Sequence, residues 1–303
     1  MYGIENEPAM TKIRATGSVV QVREQSSESV RSVNRLKISR GHATPQTDTL
    51  VVEEPLAIWL RQKSEDTINE KLWMSTMRTP GQDEEMVTGL LLAEGVVTSA
   101  ADIRSINLNE DSDGRNQCAV EISDKVVVDF DDLTRAPSYS SCGICGKSSI
   151  RWLETRGVPA LQGESGWLHP QVVTKLLEIL KSHQALFAQT GASHGCALFD
   201  EQGEFLAIAE DVGRHNALDK LVGLRARDRK LEAQGQMVAL SGRISIEMMQ
   251  KIVVAGIPVV VSVGAPTHIA VQMAQRFGVT LIGFCQQASF NVYCGEHRLS
   301  ESM

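Results

Sequence analysis

The chain has 303 residues, 42% of them hydrophobic, and a formal net charge of -7. That composition suits one large or two modest domains with a real core, and the acidic balance argues against nonspecific binding to nucleic acid or to an anionic membrane. No run approaches the roughly 18–20 apolar residues needed to cross a bilayer, and no secretory apolar stretch occupies the first thirty residues. Six cysteines are too few for a disulfide scaffold, so the expected compartment is the cytoplasm.

Residues 1–48 read as a polar, flexible extension. Gly17–Arg23 has the composition of a strand, but Gln25–Asp48 is rich in Ser, Arg, Thr and Gln and lacks an apolar period, which predicts loop or disorder. A small α+β domain is expected over 49–135. Thr49–Leu60 is strand-like and broken at Pro55, and Thr79-Pro80-Gly81 is a turn signal. Asp83, Glu84 and Glu85 sit where carboxylates favour a helix start, and Met86, Leu90 and Ala93 continue at helical spacing until Gly95. Asp102–Leu108 and Gln117–Phe130 read as strands, the second built around the β-branched Val126–Val128.

Asp131–Ser149 combines Pro137, three serines in Ser138–Ser141 and a glycine-flanked cysteine pair, and residues 136–149 read as a mobile loop between two halves. From residue 150 to the end, strand and helix alternate. Gln171–Gln189, Val212–Val222, Ile246–Val254 and Thr267–Phe277 read as helices. Ala192–Phe199, Phe205–Ala209, Met237–Leu240, Ile257–Val263, Val279–Phe284 and Phe290–Tyr293 read as strands. The near-continuous apolar run of Ile257–Val263 is that of a strand covered on both faces. The alternation predicts an α/β layered domain following the smaller α+β one.

Cys142-Gly-Ile-Cys145 carries the sharpest chemical signal. Two thiols on a glycine-rich turn suit metal ligation, disulfide exchange or the passing of a sulfur atom. A structural zinc site wants a second close pair, and the nearest candidates, His194 and Cys196, lie inside a predicted strand. A zinc deaminase would need H-x-E upstream and a proline where Ser141 stands, and a thioredoxin-like pair would open a helix early in a domain. No metal ligand set is assigned. The isolated Cys118, Cys196, Cys285 and Cys294 read as small hydrophobes.

Three strand-to-helix junctions carry further convertible side chains. Glu210-Asp211-Val212-Gly213-Arg214-His215-Asn216, with Asp219-Lys220, lies where an α/β sheet opens its ligand crevice. There Arg214 suits a phosphate, and His215 suits proton exchange or the holding of a thiolate by charge. Ser241-Gly242-Arg243, leading to Ser245 and Glu247, is either an anion site or a capping box. Val263–His268 has the same position and small-residue character. Together they describe the rim of a pocket.

These residues together resemble the FdhD family of formate dehydrogenase accessory sulfurtransferases. The resemblance runs from about Thr49 to Leu299 through Met77–Val97, the SSCGICG stretch, Thr190–Asp200, Glu210–Gly223, Ser241–Lys251 and Gly283–Tyr293. It implies a cytidine-deaminase-like α/β/α domain without the catalytic zinc, a smaller N-terminal α+β domain and a homodimer. It further implies a sulfur carrier that takes persulfide sulfur from a cysteine desulfurase. The acceptor would be the bis(guanine dinucleotide) molybdenum cofactor, before that cofactor enters formate dehydrogenase. By resemblance Cys142 carries the persulfide, Cys145 relays or releases it, and Phe284, Cys285, Gln286, Gln287, Ala288 and Ser289 line the nucleotide site. Many members place a basic residue in that stretch; here it is neutral. The alternatives are a cofactor chaperone that moves no sulfur and a structural zinc or redox protein.

Overall fold

In the computed structural model the described residues are 27–63, 67–110, 116–130, 146–287 and 289–301. Strands β1 (Val30–Ser39) and β2 (His42–Val51) form a separate antiparallel hairpin closed by Arg40 and Gly41, both at positive φ. Two consecutive left-handed residues make the two-residue turn whose twist matches paired strands. The loop expected over Gln25–Asp48 is therefore replaced by a ribbon from Val30. Its strands are exposed on both faces, so no apolar alternation marks them.

The small domain is a four-stranded sheet in the order β4-β3-β6-β5, with β3 (Glu54–Lys63), β4 (Ile68–Arg78), β5 (Ile103–Glu110) and β6 (Asn116–Ile122). Pro55 does not break β3, because it is the strand's second residue, where a missing N–H is tolerated. The strand expected to continue to Phe130 ends at Ile122. A turn follows, in which Val127 is 99% exposed while Val126, Val128 and Phe130 pack on the core. Helix α1 (Asp83–Ala93) covers this sheet, burying Met86, Val87, Leu90 and Leu91 against Leu56, Ile58, Leu60 and Val120.

The larger domain holds α2 (Gly146–Thr155), α3 (Pro170–His183), α4 (Ala185–Thr190), β7 (His194–Phe199), β8 (Phe205–Asp211), α5 (Arg214–Arg227), α6 (Arg229–Gln234), β9 (Met237–Leu240), α7 (Ile246–Val254), β10 (Val259–Ser262), α8 (His268–Phe277), β11 (Thr280–Gln286) and β12 (Ser289–Cys294). Its sheet runs β12-β11-β10-β9-β7-β8, with β9, β10 and β11 mutually parallel. Alternate residues feed two cores. Met237 and Ala239 face α3, whereas Val238 and Leu240 face α5, α7 and α8, which gives the α/β/α layering. Helix α2 starts at Gly146, inside the segment expected to be loop. The single helix expected over Gln171–Gln189 is split at Gln184, because the Glu210 carboxylate accepts the Leu186 and Phe187 N–H groups (2.8 and 2.9 Å) and starts α4 afresh. Among the described residues no helix is long and apolar enough to cross a membrane.

The two domains meet where α1 crosses α5 in opposite directions. A Cβ on Gly89 would lie 2.0 Å from the Asp219 carbonyl oxygen, and one on Gly223 would lie 1.8 Å from that of Glu85. Both obstacles are backbone and cannot rotate away. Gly223→Ala is expected to cost at least the roughly 1–3 kcal/mol of an overpacked core, read as a lower midpoint in urea unfolding.

Candidate functional site at the strand ends

The register pairs His194 with Asp211 and Cys196 with Leu240, so β8 and β9 both run antiparallel to β7. The carboxyl ends of β8, β9, β10 and β11 therefore share one edge with the start of β7. This edge gathers Arg214, His215, Ser241, Arg243, Val263, Gly264 and Phe284. It is one hydrogen-bonded rim. Ser241 Oγ accepts from Gly195 N at 2.9 Å and lies 3.4 Å from His194 Nδ1. Ser262 Oγ donates to Gly242 O and accepts from Gly264 N, and Phe284 N donates to Gly264 O at 3.2 Å.

Much of the polar run at β8–α5 is used to hold the domains together. Asp211, 0% exposed, pairs with Lys220 Nζ at 2.7 Å and accepts from Thr79 N at 3.0 Å, Gly213 N at 2.8 Å and Asn216 Nδ2 at 3.2 Å. Lys220 also donates to Thr79 O at 2.8 Å, and Asn216 donates to Met77 O at 2.6 Å. Asp219 pairs with Lys251 at 2.7 Å, both side chains 2% exposed or less. Arg214 and His215 remain at the rim. Thr79 was legible in the sequence only as part of a turn, since nothing local announces a contact 132 residues away.

The capping box considered at Ser245 is not formed, since that hydroxyl makes no bond to the helix end. Burial pushes the His215 imidazole down to about 4, helped by Arg214, Lys251 and His194 and opposed by Glu247. Burial and Arg214 lower His194 too, against the pull of Asp211. A value of about 4 leaves the His215 ring uncharged at neutral pH among the groups described. An unfolded chain protonates this ring near the ordinary value, about 6.5, whereas the folded one resists until about 4. The His215 contribution therefore lowers stability as pH falls through that window, by about 3 kcal/mol. Urea unfolding across that range should show this component in the wild type and lack it in His215→Asn.

The stretch 284–289 lies at the end of β11 and its turn into β12. Phe284 is 47% exposed and holds a left-handed φ of 51°, next to a register shift between Gly283 and Gln286. A bulky residue in that region is strained, and such strain concentrates at functional positions. Gln286, Gln287 and Ser289 are exposed, and Ala288 falls outside the described residues. The Cys285 thiol is a correction. Strand alternation turns it into the core, where it donates to Val173 O at 3.7 Å and burial raises it to about 11. Only its backbone can line the rim.

Cys142 and Cys145 lie outside the described residues. Cys145 is bonded to Gly146, the first residue of α2. Among the described residues no three His, Cys, Asp or Glu side chains gather as a metal-binding group. A cleft of about 330 Å³ opens on the small domain beside Glu28, Arg31, Glu54, Arg78, Asp83 and Asn116, and none of the predicted site residues line it.

The FdhD/NarQ family model matches residues 51–300. The chain belongs to the FdhD/NarQ family. It is 39% identical over 277 residues to the sulfur carrier protein FdhD of Streptomyces avermitilis, covering 88% of this chain and 94% of that one. To the sulfur carrier protein FdhD of Sulfolobus acidocaldarius it is 35% identical over 270 residues, covering 89% and 98%. A crystal structure of a formate dehydrogenase accessory protein from Desulfotalea psychrophila superposes with a TM-score of 0.67 at 24% identity, over 89% of this chain and 99% of that one. This last likeness speaks for the fold alone. The FdhD/NarQ match begins at the end of the β1–β2 ribbon, so most of that ribbon precedes it.

Proposed function

We propose that this chain is a sulfur carrier serving the maturation of formate dehydrogenase. The observation that carries the reading is its 35–39% identity to proteins named sulfur carriers along nearly nine-tenths of its length. The cysteine pair supports it, because delivery of a cofactor alone needs no two neighbouring thiols. In this reading a cysteine desulfurase presents a persulfide. The Cys142 thiolate attacks its outer sulfur, the donor's S–S bond breaks, the donor leaves as a thiolate, and Cys142 becomes the persulfide. Cys145 relays that sulfur, or attacks the inner sulfur, closing the Cys142–Cys145 disulfide as sulfide departs; two cellular thiols then reduce the pair by successive exchange and leave as their own disulfide. The acceptor is the bis(guanine dinucleotide) molybdenum cofactor, held as substrate at the rim before it passes to formate dehydrogenase. The protein works as a cytoplasmic homodimer.

At the rim the charge for a diphosphate comes from Arg214 and Arg243, since the His215 ring is neutral and Gln286 and Gln287 contribute amides only. Phe284 offers an exposed ring face to a base. Intact-mass measurement after incubation with a cysteine desulfurase and cysteine tests the sulfur step. A gain of about 32 Da per sulfur, reversed by thiol reduction and absent in Cys142→Ser, is the expected result. No gain in the wild type would favour the chaperone reading instead.

A further inference from the structure

The β1–β2 ribbon has almost no packing of its own. Every residue from Arg31 to Thr47 is exposed, and both strands are edges, since no third strand of the described residues joins them. The base is held: Ser29, 3% exposed, donates through Oγ to Pro80 O and accepts at its carbonyl from Val52 N, both at 2.8 Å. A lone two-stranded hairpin is marginal in water, and open edges invite another chain. The register sorts the side chains by face. Leu36 pairs with Pro45 and Ile38 with Ala43, so one side of the outer half is apolar, with Leu36 59% and Ile38 70% exposed. Arg35 and Lys37 belong to the other side, and Arg40 occupies the turn.

Charge decides between the chemistries that could cover this face. Residues 30–51 hold four cations (Arg31, Arg35, Lys37 and Arg40) and one carboxylate (Asp48), a net +3, so the chain's -7 leaves -10 on everything else. An anionic lipid surface or a nucleic acid would draw the ribbon but repel the body behind it. A second copy of this chain offers an acidic body to the ribbon and receives the same in return. Ribbon against ribbon would instead oppose like charges. We propose that the apolar side of the ribbon packs on the body of a second copy, each chain reaching onto the other. Area favours the reciprocal form. An arm about 27 Å long and about 10 Å wide covers roughly 270 Å², so one arm on one body removes only about 540 Å² from water. Two arms remove about 1,100 Å², past the roughly 1,000 Å² of a specific interface, and a twofold axis closes the pair. This surface rests on the homodimer of the proposed function and not on its sulfur chemistry.

Sedimentation equilibrium of the full chain at about 0.05 and 0.5 M salt tests the proposal, with three variants beside the wild type. Leu36→Ser with Ile38→Ser removes the apolar contact, and Lys37→Glu with Arg40→Glu inverts the charge. In the third, Asn-Gly replaces residues 31–50; Val30 pairs directly with Val51, so a two-residue turn closes the base. The wild type is expected to be a dimer whose dissociation constant rises with salt. The serine variant should dissociate at least a hundredfold more readily, to order of magnitude, because two side chains are lost from each of two arms. The glutamate variant should weaken roughly tenfold at low salt and little at high salt, and the shortened chain should be monomeric. Cooperative urea unfolding kept in all three separates loss of the dimer from loss of the fold. A monomeric wild type would overturn the proposal together with the homodimer. A dimer that survives the shortening, or wild-type affinity in the serine variant, would overturn the ribbon's role and leave the homodimer standing.

Discussion

Replacing Arg214 and Arg243 together by alanine is expected to weaken binding of guanosine diphosphate by about two to four orders of magnitude, since each charge-assisted hydrogen bond contributes about 1.5–3 kcal/mol. The two guanidiniums sit at the ends of neighbouring connections, one opening α5 after β8 and the other following β9. Their charge is not duplicated by His215, whose ring stays neutral until about pH 4, nor by the neutral side chains of Phe284–Ser289. Lysine at either position should recover only part of the loss, because an ammonium cannot reproduce the planar fork. Phe284→Ala should add a separate, smaller loss that is insensitive to salt, whereas the arginine effect should shrink as salt rises. Titration calorimetry at two ionic strengths separates these contributions. Wild-type affinity in the double variant would show that the nucleotide binds away from the strand ends.

Lys220→Ala is expected to destabilise the fold by about 3–5 kcal/mol, the usual cost of leaving one member of a buried ion pair without the other. Asp211, 0% exposed, would keep its N–H donors from Thr79 and Gly213 but lose the ammonium 2.7 Å away. Lys220 also ties the Thr79 carbonyl of the small domain to the Glu210 carbonyl of β8. Its loss therefore loosens the latch between domains as well as the local charge balance. Lys220→Met with Asp211→Asn should be less damaging than Lys220→Ala alone, because it removes both charges. Urea unfolding of the two variants and the wild type measures the difference; an equal or greater loss in the double variant would mean that the latch acts through its geometry and not its charge.

These two expectations differ in how they were reached. The rim arginines stand out in the sequence, because a Gly-Arg-His and a Ser-Gly-Arg each follow an apolar strand run, and strand ends in α/β sheets open onto ligands. The Lys220 latch needed coordinates. Glu210, Asp211, Asn216, Asp219 and Lys220 look equally reactive on the page; packing against Thr79 and Met77 assigns Asp211, Asn216 and Lys220 to holding the domains, while Glu210 starts α4 and Asp219 pairs with Lys251 inside the larger domain.

Short motifs carried the family resemblance, and periodicity alone carried the alternation of strands and helices after residue 150 and the α1 pattern, because these rest on near-neighbour spacing. It missed the β1–β2 ribbon, whose strands bury neither face, and it ran α3 and α4 together, because the break is imposed by Glu210 from another strand. The family resemblance, not periodicity, placed Cys285 among the binding residues; strand alternation at a register shift turned that thiol inward, in line with its reading as a small hydrophobe. Which polar groups face the rim and which bind one domain to the other were decided by tertiary contacts. Those contacts join residues up to 141 positions apart, and no local propensity encodes a distance of that kind.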